Sequence, residues 1–162
     1  MALAKYPMSV TRAIEQTEVA ATAARKVKND TGDLTFRLLA KVFNDMERME
    51  ALWRTAIADM NRGYAADVDN FLASIGGPGK STLIGQLTTL KQAKDAFGDA
   101  LRSWLHNQPA SLLVDVPTLT DADGNTYREL QWGSHVSDPT AQTLRDSPPV
   151  FNLVAAFDAL GV

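Results

Sequence analysis

The sequence predicts a mainly α-helical protein: an elongated antiparallel three-helix bundle with coiled-coil-like heptads, then a C-terminal β-hairpin and a short terminal helix. Three observations predict it. Apolar residues recur in alternating steps of three and four along three segments. Glycine and proline cluster between those segments. Beyond Pro109 the period changes to two, as in strands. The expected helices cover about 9–29, 33–75 with a bend near 63, and 81–107, within a bundle unit 1–108. The hairpin is expected over 109–133, and an irregular segment with a short apolar helix over 134–162.

In the first helix Val10, Ile14, Thr17, Ala21 and Ala24 keep heptad spacing with small side chains, which permits close approach to partner helices. The second carries Leu39, Val42, Met46, Met49, Trp53, Ala56 and Met60, beside a second stripe of Phe36, Phe43, Ile57 and Tyr64 interrupted by Glu50. So broad an apolar face belongs to a helix with two neighbours, which places it in the middle. Asp33 is its expected N-cap, and Glu50 and Arg54, four apart, are expected to pair. After Gly63 the stripe resumes as Val68, Phe71 and Ile75 with a stutter, read as a bend in one long helix. In the third, Leu83, Leu87, Leu90, Lys94, Phe97, Leu101 and Trp104 hold the alternation with Lys94 the only polar member. A lone lysine in a seam sets register or snorkels to water.

Between the second and third helices lies "ASIGGPGKSTL", residues 73–83. Gly79, Lys80 and Ser81 match the end of a phosphate-cradling loop, but Ser74 stands where its first glycine belongs. Such a loop also springs from a buried strand, whereas "DVDNFLASI" has a helical period. The segment therefore reads as an elbow. Gly76 or Gly77 ends one helix, Pro78 blocks its continuation, and Ser81 or Thr82 caps the next.

Leu112, Val114 and Val116 form one strand face, and Leu130 and Trp132 one face of the returning strand. Asp123-Gly124-Asn125 suits a tight turn, and Pro117, lacking an N–H, belongs on an outer edge. In the terminal helix, opened by Ser147 and two prolines, Val150, Leu153, Val154, Phe157 and Leu160 make an apolar face. It either folds back on the bundle or docks on a partner.

Composition excludes several chemistries. There is no cysteine, so thiolate metal sites, disulfides and thiol nucleophiles are absent. A net charge of −3 gives no basic field for nucleic acid, and the one basic cluster, Arg25, Lys26 and Lys28, is small. The opening "MALAKYPMSV" has no apolar core of a signal peptide, and no segment has the length of a membrane span, so a cytoplasmic origin is expected. Two histidines, His106 and His135, are too few for a multi-histidine metal site. Ser134, His135 and Asp138 are triad residue types, but sequence neighbours rarely face one another and no nucleophile elbow accompanies them. Asp121, Asp123 and Asn125 alternate as in calcium loops, yet Thr126 and Trp132 occupy the glycine and glutamate positions, leaving at most weak calcium binding. Asp95 and Asp99 share a face with Lys91 and Arg102 and read as solvated surface.

The expectation is a non-enzymatic structural or assembly protein without a cofactor, working through contacts with other protein subunits in an oligomeric assembly, with no nucleic acid and no membrane. A neck, adaptor or tail component of a tailed-phage virion has this shape. The partner-contact candidates are Val150, Phe151, Val154, Phe157 and Leu160 of the terminal helix, with Leu130 and Trp132 of the hairpin. The alternative is a cytoplasmic helical-bundle adaptor or chaperone-like module that uses a groove or helix face. A nucleotide-binding protein using the 76–81 loop comes third.

Overall fold

A computed structural model of the chain describes residues 4–29, 34–109, 112, 114–132 and 139–162. It is mainly helical, with a small two-sheet β region towards the C-terminus. Helix α1 is Tyr6–Asn29, α2 Phe36–Asn61, α3 Ala65–Ser74 and α4 Lys80–His106. Strands β1 (Val114–Asp115), β2 (Thr118–Thr120), β3 (Thr126–Arg128) and β4 (Gln131–Trp132) follow, then α5 (Gln142–Arg145) and α6 (Pro148–Leu160).

Helix α1 runs antiparallel to α2, with Tyr6 beside Gly63 and Thr17 beside Trp53, whose Nε1 donates to Thr17 Oγ1 2.8 Å away in the core; Gln16 Nε2 also donates to the Asp45 carbonyl. Thr17 keeps its polar place in the seam because it has this bond and donates to the Ala13 carbonyl at 2.7 Å. Helix α4 returns antiparallel to α2, with Phe36 stacked on Trp104 at 5.0 Å. Helix α6 packs against α4 and also against α1, so α1, α2, α4 and α6 contact one another in a closed cycle. The terminal helix is thus a fourth member beside the three expected, with Val150, Leu153, Val154 and Phe157 all buried.

Other boundaries also move. The expected single bent helix over 33–75 is two helices. Gly63 and Tyr64 separate α2 from α3, and the Arg62 and Gly63 amides close α2 on the Asp59 and Met60 carbonyls. A Cβ on Gly63 would lie 3.0 Å from Val68 and 3.1 Å from the Tyr6 ring, so a larger residue at this break would have to displace both side chains. Helix α2 begins after Thr35, and the expected cap, Asp33, lies outside the described residues. At the elbow Gly76 has φ +78, the left-handed terminator expected. Ser81 and Thr82 are not the cap, however. Gly79 occupies that position, and the Lys80 amide donates to Asp69 Oδ1 at 2.9 Å, so α3 supplies the carboxylate that caps α4.

The hairpin keeps one register throughout, from Val114 opposite Trp132 to Thr120 opposite Thr126. It splits into two ladders at Pro117. That residue sits at a hydrogen-bonded position facing Glu129, not on the outer edge: its carbonyl accepts from the Glu129 amide at 3.3 Å, and the reciprocal donor does not exist. The hairpin does not protrude either. It lies along α2, and residue 139 onward returns to pair Thr140 with Thr35 beside the start of that helix.

Candidate functional site

Two polar residues interrupt otherwise apolar stripes, Lys94 in α4 and Glu50 in α2, and the fold sets them face to face. Lys94 Nζ reaches Glu47 Oε1 at 2.7 Å and Glu50 Oε2 closely as well. The lysine is 5% exposed, so it does not snorkel to water. Burial alone would lower its pKa, but the hydrogen bonds and charges of Glu47 and Glu50 outweigh it, and the net direction is upward. An ammonium held this way stays protonated and is neither base nor nucleophile. Its chemistry is that of a clasp between two helices. Glu50 therefore does not pair with Arg54, whose guanidinium instead donates to the Thr126 carbonyl.

Glu47 carries the clasp across to the hairpin, accepting from the Arg128 amide at 3.3 Å. Beside it, Asn44 makes a two-point contact with Leu130: Nδ2 donates to its carbonyl at 3.0 Å, and Oδ1 accepts from its amide at 2.8 Å. Asn125 Nδ2 completes the row on the Ala51 carbonyl and Thr55 Oγ1. Arg48 pairs with Glu129, and here too burial, which would lower the pKa, is outweighed by the Glu129 hydrogen bond and charge, with smaller contributions from Asp45 and Tyr127. A lone two-stranded hairpin is marginal in water. This one is held because α2 side chains do for its inner edge what a third strand would do. Asn44→Ala leaves both backbone groups of Leu130 buried and unpaired. A loss of about 2 kcal/mol is expected, with hydrogen exchange at residues 126–132 rising well above that of α1.

Two apolar clefts flank the clasp along the α2–α4 seam. The cleft next to the hairpin, about 280 Å³, has Phe43, Leu101, Leu105, Val116 and Leu130 in its walls, with Arg102, Arg128 and Asp95 at its rim and the Lys94–Glu47 pair at its clasp end. Gly98 forms part of it because a Cβ there would lie 2.9 Å from the Phe43 ring. The cleft towards the elbow, about 230 Å³, is lined by Met49, Trp53, Ile57, Ile84 and Leu87, with Arg54 and Lys91 beside it. Among the described residues the Arg128 guanidinium has no partner, although Arg102 pairs with Asp99 and Lys91 with Asp95. A wider groove of about 470 Å³ between α1 and α2 mixes Glu15, Glu18, Lys26 and Lys41 at its rim and reads as a solvated face. The α2–α4 face, with apolar walls and an unpaired Arg128 guanidinium at its rim, is the better candidate for binding.

The residues singled out from the sequence are placed as follows. Val150, Val154 and Phe157 lie in the chain's own core, Leu160 is half-buried, and only Phe151 is exposed, at 43%, under the Lys28 ammonium. Leu130 is buried on Asn44, and Trp132 lies between Phe36 and the Arg37 guanidinium. Arg25 of the basic cluster is paired with Asp158. At the loop resembling a phosphate cradle, the helix precedes where a strand should, and Asp69 holds the amide a phosphate would need. In the 121–125 turn, Asp121 Oδ1 accepts from the amides of Asp123 and Asn125, so its carboxylate serves the turn. No group of three metal-ligating side chains occurs among the described residues. His106 is exposed at the end of α4, while Ser134, His135 and Asp138 lie outside the described residues. No helix is long and apolar enough to cross a membrane among the described residues. Comparison with protein-family models, curated proteins and solved structures found no match.

Proposed function

We propose that this chain is a non-enzymatic, coiled-coil-like helical-bundle protein that works by binding another protein on its α2–α4 face. One observation carries the reading: the seam is closed by an ion clasp and left open on both sides of it, as two clefts with apolar walls and rims of mixed charge, where among the described residues the Arg128 guanidinium is left without a partner. Apolar surface rimmed by charge is what a partner interface offers. The adaptor or chaperone-like form of the expectation, which predicts a groove, is the one this geometry supports. The narrower form, a neck, adaptor or tail component of a phage particle, leans on two protruding elements. With both packed on the bundle it keeps no observation of its own.

Native mass spectrometry of the tagged chain isolated from its own source tests the reading. The expected result is a complex of fixed stoichiometry that Leu87→Asp or Leu105→Asp depletes at least tenfold, with far-UV circular dichroism unchanged. A chain that is monomeric throughout, or a complex indifferent to both substitutions, overturns it.

A further inference from the structure

The hairpin has two edges, and the fold treats them differently. Pairs 117–129 and 121–125 each carry one backbone hydrogen bond across the hairpin, so the alternate residues turn their backbone groups outward. On the returning strand those outward groups belong to Thr126, Arg128 and Leu130, and Arg54 takes up the Thr126 carbonyl, Glu47 the Arg128 amide, and Asn44 both groups of Leu130. On the other strand they belong to Val116, Thr118 and Thr120. All three residues are exposed, and within the described residues none of their outward N–H and C=O groups has a partner.

That bare edge adjoins the cleft by the hairpin. Val116 is both an edge residue, 46% exposed, and part of the cleft wall. Thr118 stands opposite Arg128 in a non-hydrogen-bonded pair, so their side chains lie on the same face of the hairpin as that of Val116. A strand laid against the edge would place one side chain beside Val116, over Leu101 and Leu105. Two residues along, the next side chain on that face would lie opposite Thr118, about 10 Å across the sheet from the Arg128 backbone. That is within the joint reach of an arginine and a glutamate side chain. The edge itself carries no lysine, the usual guard against such pairing.

We propose that the 116–120 edge is a strand-addition site for an extended segment of a partner protein. One face of that segment would alternate an apolar residue, for the cleft, with an acidic residue, for Arg128 and Arg102. This names the partner chemistry of the α2–α4 face and rests on that reading. A second copy of the chain fits less well: antiparallel self-pairing centred on Thr118 would set Asp115 opposite the partner's Asp121, two like charges.

Two fluorescein-labelled nine-residue peptides test it, with valine alternating on one face with glutamate in one peptide and with lysine in the other. The glutamate peptide is expected to bind at least tenfold more tightly by anisotropy and to slow amide exchange at 116, 118 and 120. Thr120→Pro removes one outward N–H that the hairpin does not use, and is expected to weaken binding about tenfold. Arg128→Glu is expected to reverse the preference towards the lysine peptide, and it carries the test alone if the proline variant misfolds. Three results overturn the proposal: no protection at 116–120, equal binding of both peptides to both variants, or concentration-dependent protection of the edge without peptide, which assigns it to a second copy. The wider reading fails separately. A native complex lost with Leu87→Asp but untouched by Thr120→Pro and Arg128→Glu sinks the edge site and leaves the binding face standing.

Discussion

Replacing Lys94 by methionine is expected to cost about 3 kcal/mol of folding stability, read as a lower urea midpoint. The loss comes less from the missing attraction than from what remains: Glu47 and Glu50, both largely covered, left side by side without a cation. The sign of the pH response separates this account from a packing defect. In the native protein the Lys94 pKa stands above its ordinary value of 10.5. Its contribution is therefore complete below that pH and declines as pH rises through the higher folded value. Lys94→Met removes this alkaline loss, so the parent's stability should decline as pH rises beyond 10.5 through the higher folded value, and the variant's should lack that part of the decline. Adding Glu47→Gln and Glu50→Leu should return most of the loss, since a neutral seam has no stranded charge. A Lys94→Met variant whose alkaline decline matches the parent's would sink the clasp account.

The second large effect belongs to α6. Phe157 is completely buried where α6 meets the bundle, and Phe157→Ala is expected to cost about 3–5 kcal/mol through lost transfer energy and the cavity left behind. Removing residues 150–162 exposes the matching apolar surface of α4 and α1 and should leave the chain insoluble or molten, with α1–α2 helicity partly retained. Phe151→Ala, one helical position away from the buried face, should change stability by less than about 0.5 kcal/mol. Thermal melts of the three proteins decide it. A truncated chain that still melts cooperatively near the parent temperature would mean that α6 is an accessory rather than a wall of the core.

How much of this was legible in the sequence depended on range. The stripe Leu83 to Trp104 is a local signal, and α4 follows it closely. The Gly76 terminator and the start of α6 at Pro148 are equally local and fall where expected. The break at Gly63 was visible as a stutter, but a stutter alone does not say whether a helix bends or ends, and the Tyr6 ring packed against Gly63 comes from the start of α1, distant in the sequence. The clasp left half a signal. Lys94 and Glu50 each stood out as a flaw in its own stripe, and opposite charges in two facing seams are each other's natural explanation. Asn44 left none, because an asparagine on a helix says nothing about a strand 86 residues further along. For the fourth helix the sequence left two places open, the bundle or a partner: its apolar face is plain, but the surface it covers is assembled from α1 and α4.

Helix α2 has work on every side. One side donates Trp53 to Thr17 of α1, another holds Lys94 of α4 through Glu47 and Glu50, and a third secures the hairpin with Asn44, Arg48 and Arg54. Few of its positions can drift without a matching change in a distant segment. Helix α4 differs, since its outer face of Lys91, Asp95, Asp99 and Arg102 makes only exposed ion pairs within itself. Evolutionary freedom in this protein is therefore unevenly shared. Its descendants can diverge more readily at the outward positions of α4 such as Asp99, while α2 changes only in concert with the elements around it.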